Sequence, residues 1–187
     1  MQPFSHTPQE QISLLYRNLM QAQISFDLWE GLREARSNVE IVNAMQPYAG
    51  FFVGTERALF DSFVVLSYSI FEMRKDTVNM SRLIRSVREK ITEEKKPKIE
   101  DEVKLLKPTW LKLGILRNEV VGHQALNQST FQSFQKAGVT PEEIQDYLSK
   151  SQDLLSTISF NAFRNALAFN IHSKPSLVGL LEKLRSN

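Results

Sequence analysis

The chain contains no cysteine, so disulfides, thiolate metal sites and cysteine nucleophiles are excluded. Histidine is scarce: His6, His123 and His172 are scattered and make no ligand cluster of the kind a metal enzyme needs. Seven glycines and seven prolines among 187 residues are few, and no stretch shows sustained strand-like alternation. Together these point to helices joined by short loops. A long hydrophobic run is missing too. The best candidate, LFDSFVVLSYSIF at 59–71, is short and broken by an aspartate and serines, so it reads as a central buried helix rather than a bilayer span. The opening MQPFSHTPQE lacks a basic segment followed by an apolar run, so no signal peptide is expected and the expected home is the cytoplasm. Charge of one sign is also lacking: 23 Lys and Arg against 21 Asp and Glu leave +2, which permits contact with a polyanion without announcing one. The hydrophobic share of 42% suffices for one core, so 1–187 is read as a single all-α domain.

What is present is helix punctuation. Thr7-Pro8-Gln9-Glu10 has the form of a capping box and predicts a helix to about Arg36, with Ile12, Leu15, Leu19, Ala22, Phe26, Trp29 and Leu32 along one face. Ser37 and Asn38 can cap a short segment that Pro47 interrupts, and a long apolar helix is expected from Pro47 to Phe71. After a loop at Arg74–Asn79, Ser81 is expected to cap a helix running to about Glu93. EEKKPKIEDE reads as an exposed turn around Pro97. Residues 124–138 read as a loop with one helical turn at most, either a flap over a site or a connector pinned by Phe131 and Phe134. Thr140 to Glu143 repeat the capping box and start a helix expected to reach His172, with 173–175 ending it and a last helix over Ser176–Arg185.

The stretch with chemical content is Pro108–Gln124, PTWLKLGILRNEVVGHQ. Trp110, Leu113, Arg117 and Val120 follow at steps of three and four and share a helix face, which Ile99, Val103 and Leu106 continue upstream through Pro108. Pro108 either begins this helix or kinks it. Arg117 thus falls where the period calls for an apolar residue, and its permanent charge needs a carboxylate, several acceptors or a wet cleft. Gly122 offers a helix stop, after which His123 can swing back toward Arg117. The plain reading is a surface arginine near a helix end with His123 as a C-terminal cap.

An arginine, a polar neighbour and, after a short spacer, a histidine resemble the motif of the HEPN superfamily; here they are Arg117, Asn118 and His123, with five residues between arginine and histidine. With the apolar helix upstream, the chain looks most like the abortive-infection subgroup over roughly residues 8 to 165. The resemblance implies a bundle of about five to seven helices with a long central apolar helix, a homodimer and, in many members, a ribonuclease needing no metal and no cofactor. Arg117 would then hold and stabilise the phosphate, His123 would transfer protons, and Asn118 would orient phosphate, histidine or 2′-hydroxyl. Two copies of the motif across a two-fold axis would supply both acid and base. The resemblance also implies RNA as a partner, a role in phage defence or a toxin–antitoxin system, and a cognate antitoxin or nucleotidyltransferase as a second partner. Glu56 and Asp61 are candidates to orient Arg117, against the plainer reading of carboxylates satisfied locally. Arg82, Arg85 and Arg88 form a basic row that is either a solvated helix face or a phosphate-binding surface. The alternatives to an enzyme are an inactive HEPN-like module that binds RNA or neutralises a toxin, and a helical dimer with a scaffold or small-ligand role. The departures that bear on the former are Glu119 beside the motif, whose charge weakens phosphate attraction, and the mild net charge.

Overall fold

The structure is a computed structural model that describes residues 6–74, 76–118, 130–170 and 173–186, the side chains of 130 and 131 excepted. Its elements are α1 (Pro8–Ala35), α2 (Val39–Met45), a 3-10 turn (Gln46–Tyr48), α3 (Ala49–Ser69), α4 (Met80–Val87), a second 3-10 turn (Arg88–Lys90), α5 (Lys96–Arg117), α6 (Thr130–Ala137), α7 (Pro141–Phe163) and α8 (Ser173–Arg185). The architecture is an all-α bundle. The long helices form a closed ring in which α1 packs on α3, α3 on α5, α5 on α7 and α7 on α1. Helix α8 lies against α1 and α2 at one end, and α6 against α5. Among the described residues, no helix is long and apolar enough to cross a membrane.

Both capping boxes form. Thr7 accepts from the Glu10 N–H while Glu10 accepts from the Thr7 N–H, and Thr140 and Glu143 do the same. The face of α1 expected to be apolar is buried throughout, from Ile12 to Leu32. At its centre Trp29 stacks on Phe134 at 5.6 Å and 12°, and Phe26 meets Phe63 edge-on at 5.3 Å. Phe134 ties α6 into the core, so the described part of 124–138 is a pinned two-turn helix rather than a loop. It stops where Gly138 takes a φ of +61°, open to a residue without a β-carbon.

Several boundaries differ from expectation, each for a local reason. Helix α4 is capped by Asn79, not Ser81. Asn79 has extended backbone, and its Oδ1 accepts the Arg82 N–H at 2.9 Å. The helix also ends at Val87, short of Glu93. Pro97 sits in the first turn of α5, where its missing N–H costs nothing, so most of EEKKPKIEDE is helix. Pro108 lies inside α5 and does not begin it. Helix α7 stops at Phe163 because Arg164 turns left-handed at φ 55°. Phe169, which fitted its periodicity, instead packs from the following irregular segment against Tyr16 at 4.9 Å. Residues 173–175 open α8 rather than ending α7.

Helix α3 is central through its C-terminal half, where Phe60, Phe63, Val64 and Ser67 are buried. Carbonyls at its C-terminal end and at its cap Ile70 are met by donors from other elements. The Tyr147 hydroxyl donates to the Ser67 carbonyl at 3.0 Å, the Trp110 indole N–H to the Tyr68 carbonyl at 3.0 Å, and the Met80 N–H to the Ile70 carbonyl at 2.7 Å. Burial pushes the Tyr147 hydroxyl far above its ordinary range, so it stays a neutral donor. This end of α3 positions the candidate site.

Candidate functional site

Trp110, Gly114 and Arg117 follow at steps of four and three on α5, and Tyr68 of α3 lies across them. The Tyr68 ring stacks on Trp110 at 5.5 Å and 10°. The Arg117 guanidinium carbon stands 5.3 Å from the Tyr68 ring centroid, within cation–π range. Gly114 makes this approach possible: a β-carbon there would lie 3.0 Å from Tyr68 Cε2. Arg117 is half-buried in the last turn of α5. A cation there, and near the last turn of α3, is favoured by the negative ends of both helix dipoles. Its Nη1 lies 3.5 Å from Oδ1 of the exposed Asn118, whose own N–H caps α5 on the Gly114 and Ile115 carbonyls. The stripe that placed Arg117 among apolar positions is real. Ile99, Leu106 and Leu113 are buried along it, with Val103 and Trp110 partly so.

His123 lies outside the described residues, as do Glu119, Val120, Gly122 and the rest of 119–129. The two carboxylates expected to orient Arg117 have other partners. Glu56 accepts from Arg36, the residue that caps α1, and Asp61 pairs with Arg57 one helical turn before it, at 3.0–3.1 Å. Tyr68, the α3 residue that does meet Arg117, is seven positions beyond Asp61, about 10 Å further along the axis. No sequence signal marks Tyr68, since one more aromatic at the end of an apolar helix has no distinguishing spacing.

The basic row divides. Arg82 and Arg85 line a cleft of about 350 Å³ together with Met73, Arg74, Asn79 and Ser81. Arg88 falls past the end of α4, 3.7 Å from Glu100 of α5. The half-buried Arg82 donates from Nη1 to the Thr77 carbonyl at 3.4 Å, and Arg85 is exposed. Arg74, not singled out by its sequence context, holds Asp76 through two bonds of 3.1 and 2.8 Å. That fork lowers the Asp76 carboxyl below its ordinary range and raises Arg74. Among the described residues, no three His, Asp or Glu side chains are grouped to hold a metal ion.

The family model HEPN_AbiU2, described as AbiU2, matches residues 9–178. No curated protein matches the chain, and no solved structure does.

Proposed function

The chain belongs to AbiU2, a HEPN-type abortive-infection family, and on that premise we propose that it is a metal-independent endoribonuclease in which Arg117, Asn118 and His123 form the reactive centre. The observation that carries this reading is the seating of Arg117. It is a permanent cation fixed against Tyr68 at the end of α5, with the side-chain amide of Asn118 beside it and the histidine of the motif five residues further on. A guanidinium so held presents a planar fork of donors to phosphoryl oxygens without reorganising during the reaction.

The chemistry needs little more from the protein. The 2′-hydroxyl of RNA attacks the adjacent phosphorus, a new P–O bond forms, and the bond to the 5′-oxygen breaks. The products are a 2′,3′-cyclic phosphate and a free 5′-hydroxyl. One proton must leave the attacking hydroxyl and one must reach the departing oxygen. An imidazole titrating near neutrality serves either role. A homodimer with two motifs facing one groove supplies one histidine for each, and isologous pairing is the commonest symmetry for identical chains. The family's name suggests abortive infection as the setting, and we propose an antitoxin partner as the restraint on cutting.

The test is RNA cleavage by purified protein in the presence of a chelator, with the product ends identified. Arg117→Ala is expected to slow cutting roughly a hundredfold or more. Arg117→Lys, which keeps charge but loses the fork, should restore only part of it. His123→Ala should remove cutting, with thermal stability unchanged. RNA that is bound but left whole under these conditions would assign the chain to the binding-module reading instead.

A further inference from the structure

The cleft between the end of α3 and the start of α4 has no part in the chemistry above, yet three guanidiniums border it. Arg85 has no ion-pair or hydrogen-bond partner among the described residues. Arg82 comes up from the first turn of α4, and Arg74 enters from the connecting loop. Around Arg74 the acidic groups are Asp76, chelated by it, and Glu72, which acts on it from further away. Like charges gathered around one opening repel, and an anion seated between them relieves that repulsion. None of the described lining residues is aromatic, so nothing there offers a platform for stacking a base. Asn79 and Ser81 add polar side chains to the lining. Arginine forks, an amide and a hydroxyl are the group types that hold a nucleic-acid backbone without reading its sequence.

The position matters as much as the charge. Met80, which opens α4, donates its N–H to the Ile70 carbonyl at 2.7 Å. Ile70 is two residues past Tyr68, the ring on which Arg117 rests. Cleft and Arg117 therefore both lie toward the C-terminal end of α3. We propose that this cleft, through Arg74, Arg82 and Arg85, seats a backbone phosphate of an RNA strand that also reaches Arg117. On binding, a phosphate oxygen replaces the Asp76 carboxylate on the Arg74 fork. The proposal rests on reading Arg117 as an RNA site. It excludes Arg88, which faces Glu100.

The experiment separates the two readings by using a short 2′-O-methyl oligoribonucleotide, which binds but has no hydroxyl to attack with. Its affinity is followed by fluorescence anisotropy across a range of salt concentrations. For a single strand, the slope of log affinity against log salt counts phosphate contacts at about 0.7 each. Arg85→Ala and Arg74→Ala are each expected to lower the slope by about that amount and to weaken binding severalfold at low salt. Lys150→Ala, which removes an exposed cation paired with Asp146 on α7, should leave the slope as it is. A slope unaltered by Arg85→Ala and Arg74→Ala overturns the proposal even if the enzyme cuts RNA. Normal slope losses with no cutting of unmodified RNA sustain it and sink the nuclease instead. In a parallel arm, inorganic phosphate alone is added. Protection of the wild type against thermal unfolding, lost in Arg85→Ala while the RNA slope stays intact, would make the cleft a free-anion site and overturn its role in holding the strand.

Discussion

The two halves of α3 are built from similar apolar residues and meet different fates. At the C-terminal half, Phe60, Phe63 and Val64 are at most 2% exposed, and tertiary hydrogen bonds hold the Ser67 and Tyr68 carbonyls and that of Ile70, which caps the helix. At the N-terminal half no side chain caps the helix, Phe51 and Val53 are 67% and 61% exposed, and Tyr48 just before it is 54% exposed. A cavity of about 380 Å³ opens beside them, lined in part by Val42, Met45, Phe52 and Val53. The closed half belongs to the main core. The open half belongs to a small separate cluster of Leu32, Ile41, Met45, Phe52, Leu177 and Leu181. The closed end is also where Arg117 is seated. A side chain that must meet a phosphate in a fixed orientation needs a rigid support, and the buried, tertiary-bonded end of α3 offers one.

The sharpest way to strain this comparison is to open the closed half. Phe63 touches Phe26, Trp29 and Phe60, with ring centroids 5.1–5.3 Å away, and has no exposure. Phe63→Ala is expected to cost about 3–5 kcal/mol, measured as a shift in denaturant midpoint at constant slope. A cost below about 1 kcal/mol would mean that the two halves are packed alike. Next in size is Gly114→Ala. Its β-carbon would meet Tyr68 at 3.0 Å, and that ring is already stacked on Trp110, so it cannot yield freely. The expected loss is about 1–3 kcal/mol. Because the same ring supports Arg117, RNA cleavage should fall in the same variant by more than the loss of folded protein accounts for. Stability and cleavage both unchanged would show that Tyr68 does not fix the guanidinium.

Periodicity and caps made most of the bundle legible. The α1 stripe, both capping boxes and the position of Arg117 on a buried face all follow from spacing of three and four and from Thr-Pro-x-Glu. The misreadings concern places where two neighbouring residues compete for one role. Asn79 outbids Ser81 as a cap because it takes extended backbone and reaches the Arg82 N–H. Pro97 reads equally as a turn or as a first helical turn, and only the chain before it decides. Arg164 ends α7 in a left-handed conformation that no glycine announces. Phe169 matches the α7 period by coincidence of spacing, while its actual partner is Tyr16, far away in sequence. The same limit applies at the site. Spacing placed Arg117 on its helix face, but its neighbour comes from α3, and pairing between helices leaves no local trace at Tyr68. Nor does apolar content distinguish the half of α3 that is covered from the half that is not.

The smallest effects test the open half. Phe51→Gln introduces a better helix former and removes one edge contact, with Phe52 at 5.3 Å, so a stability loss under about 1 kcal/mol is expected. Gly54→Ala should act with the opposite sign to Gly114→Ala. A β-carbon at Gly54 meets nothing within 4 Å, and the position is inside a helix. Replacing glycine there removes backbone freedom from the unfolded chain at no steric cost, so a gain of about 0.4–1 kcal/mol is expected by thermal or denaturant unfolding. The two glycine substitutions thus read the same property of α3 and its surroundings from both ends. A loss at Gly54 comparable to that at Gly114 would show that another surface already covers the N-terminal half in solution. Concentration dependence of the unfolding midpoint would then identify that surface as a second copy of the chain.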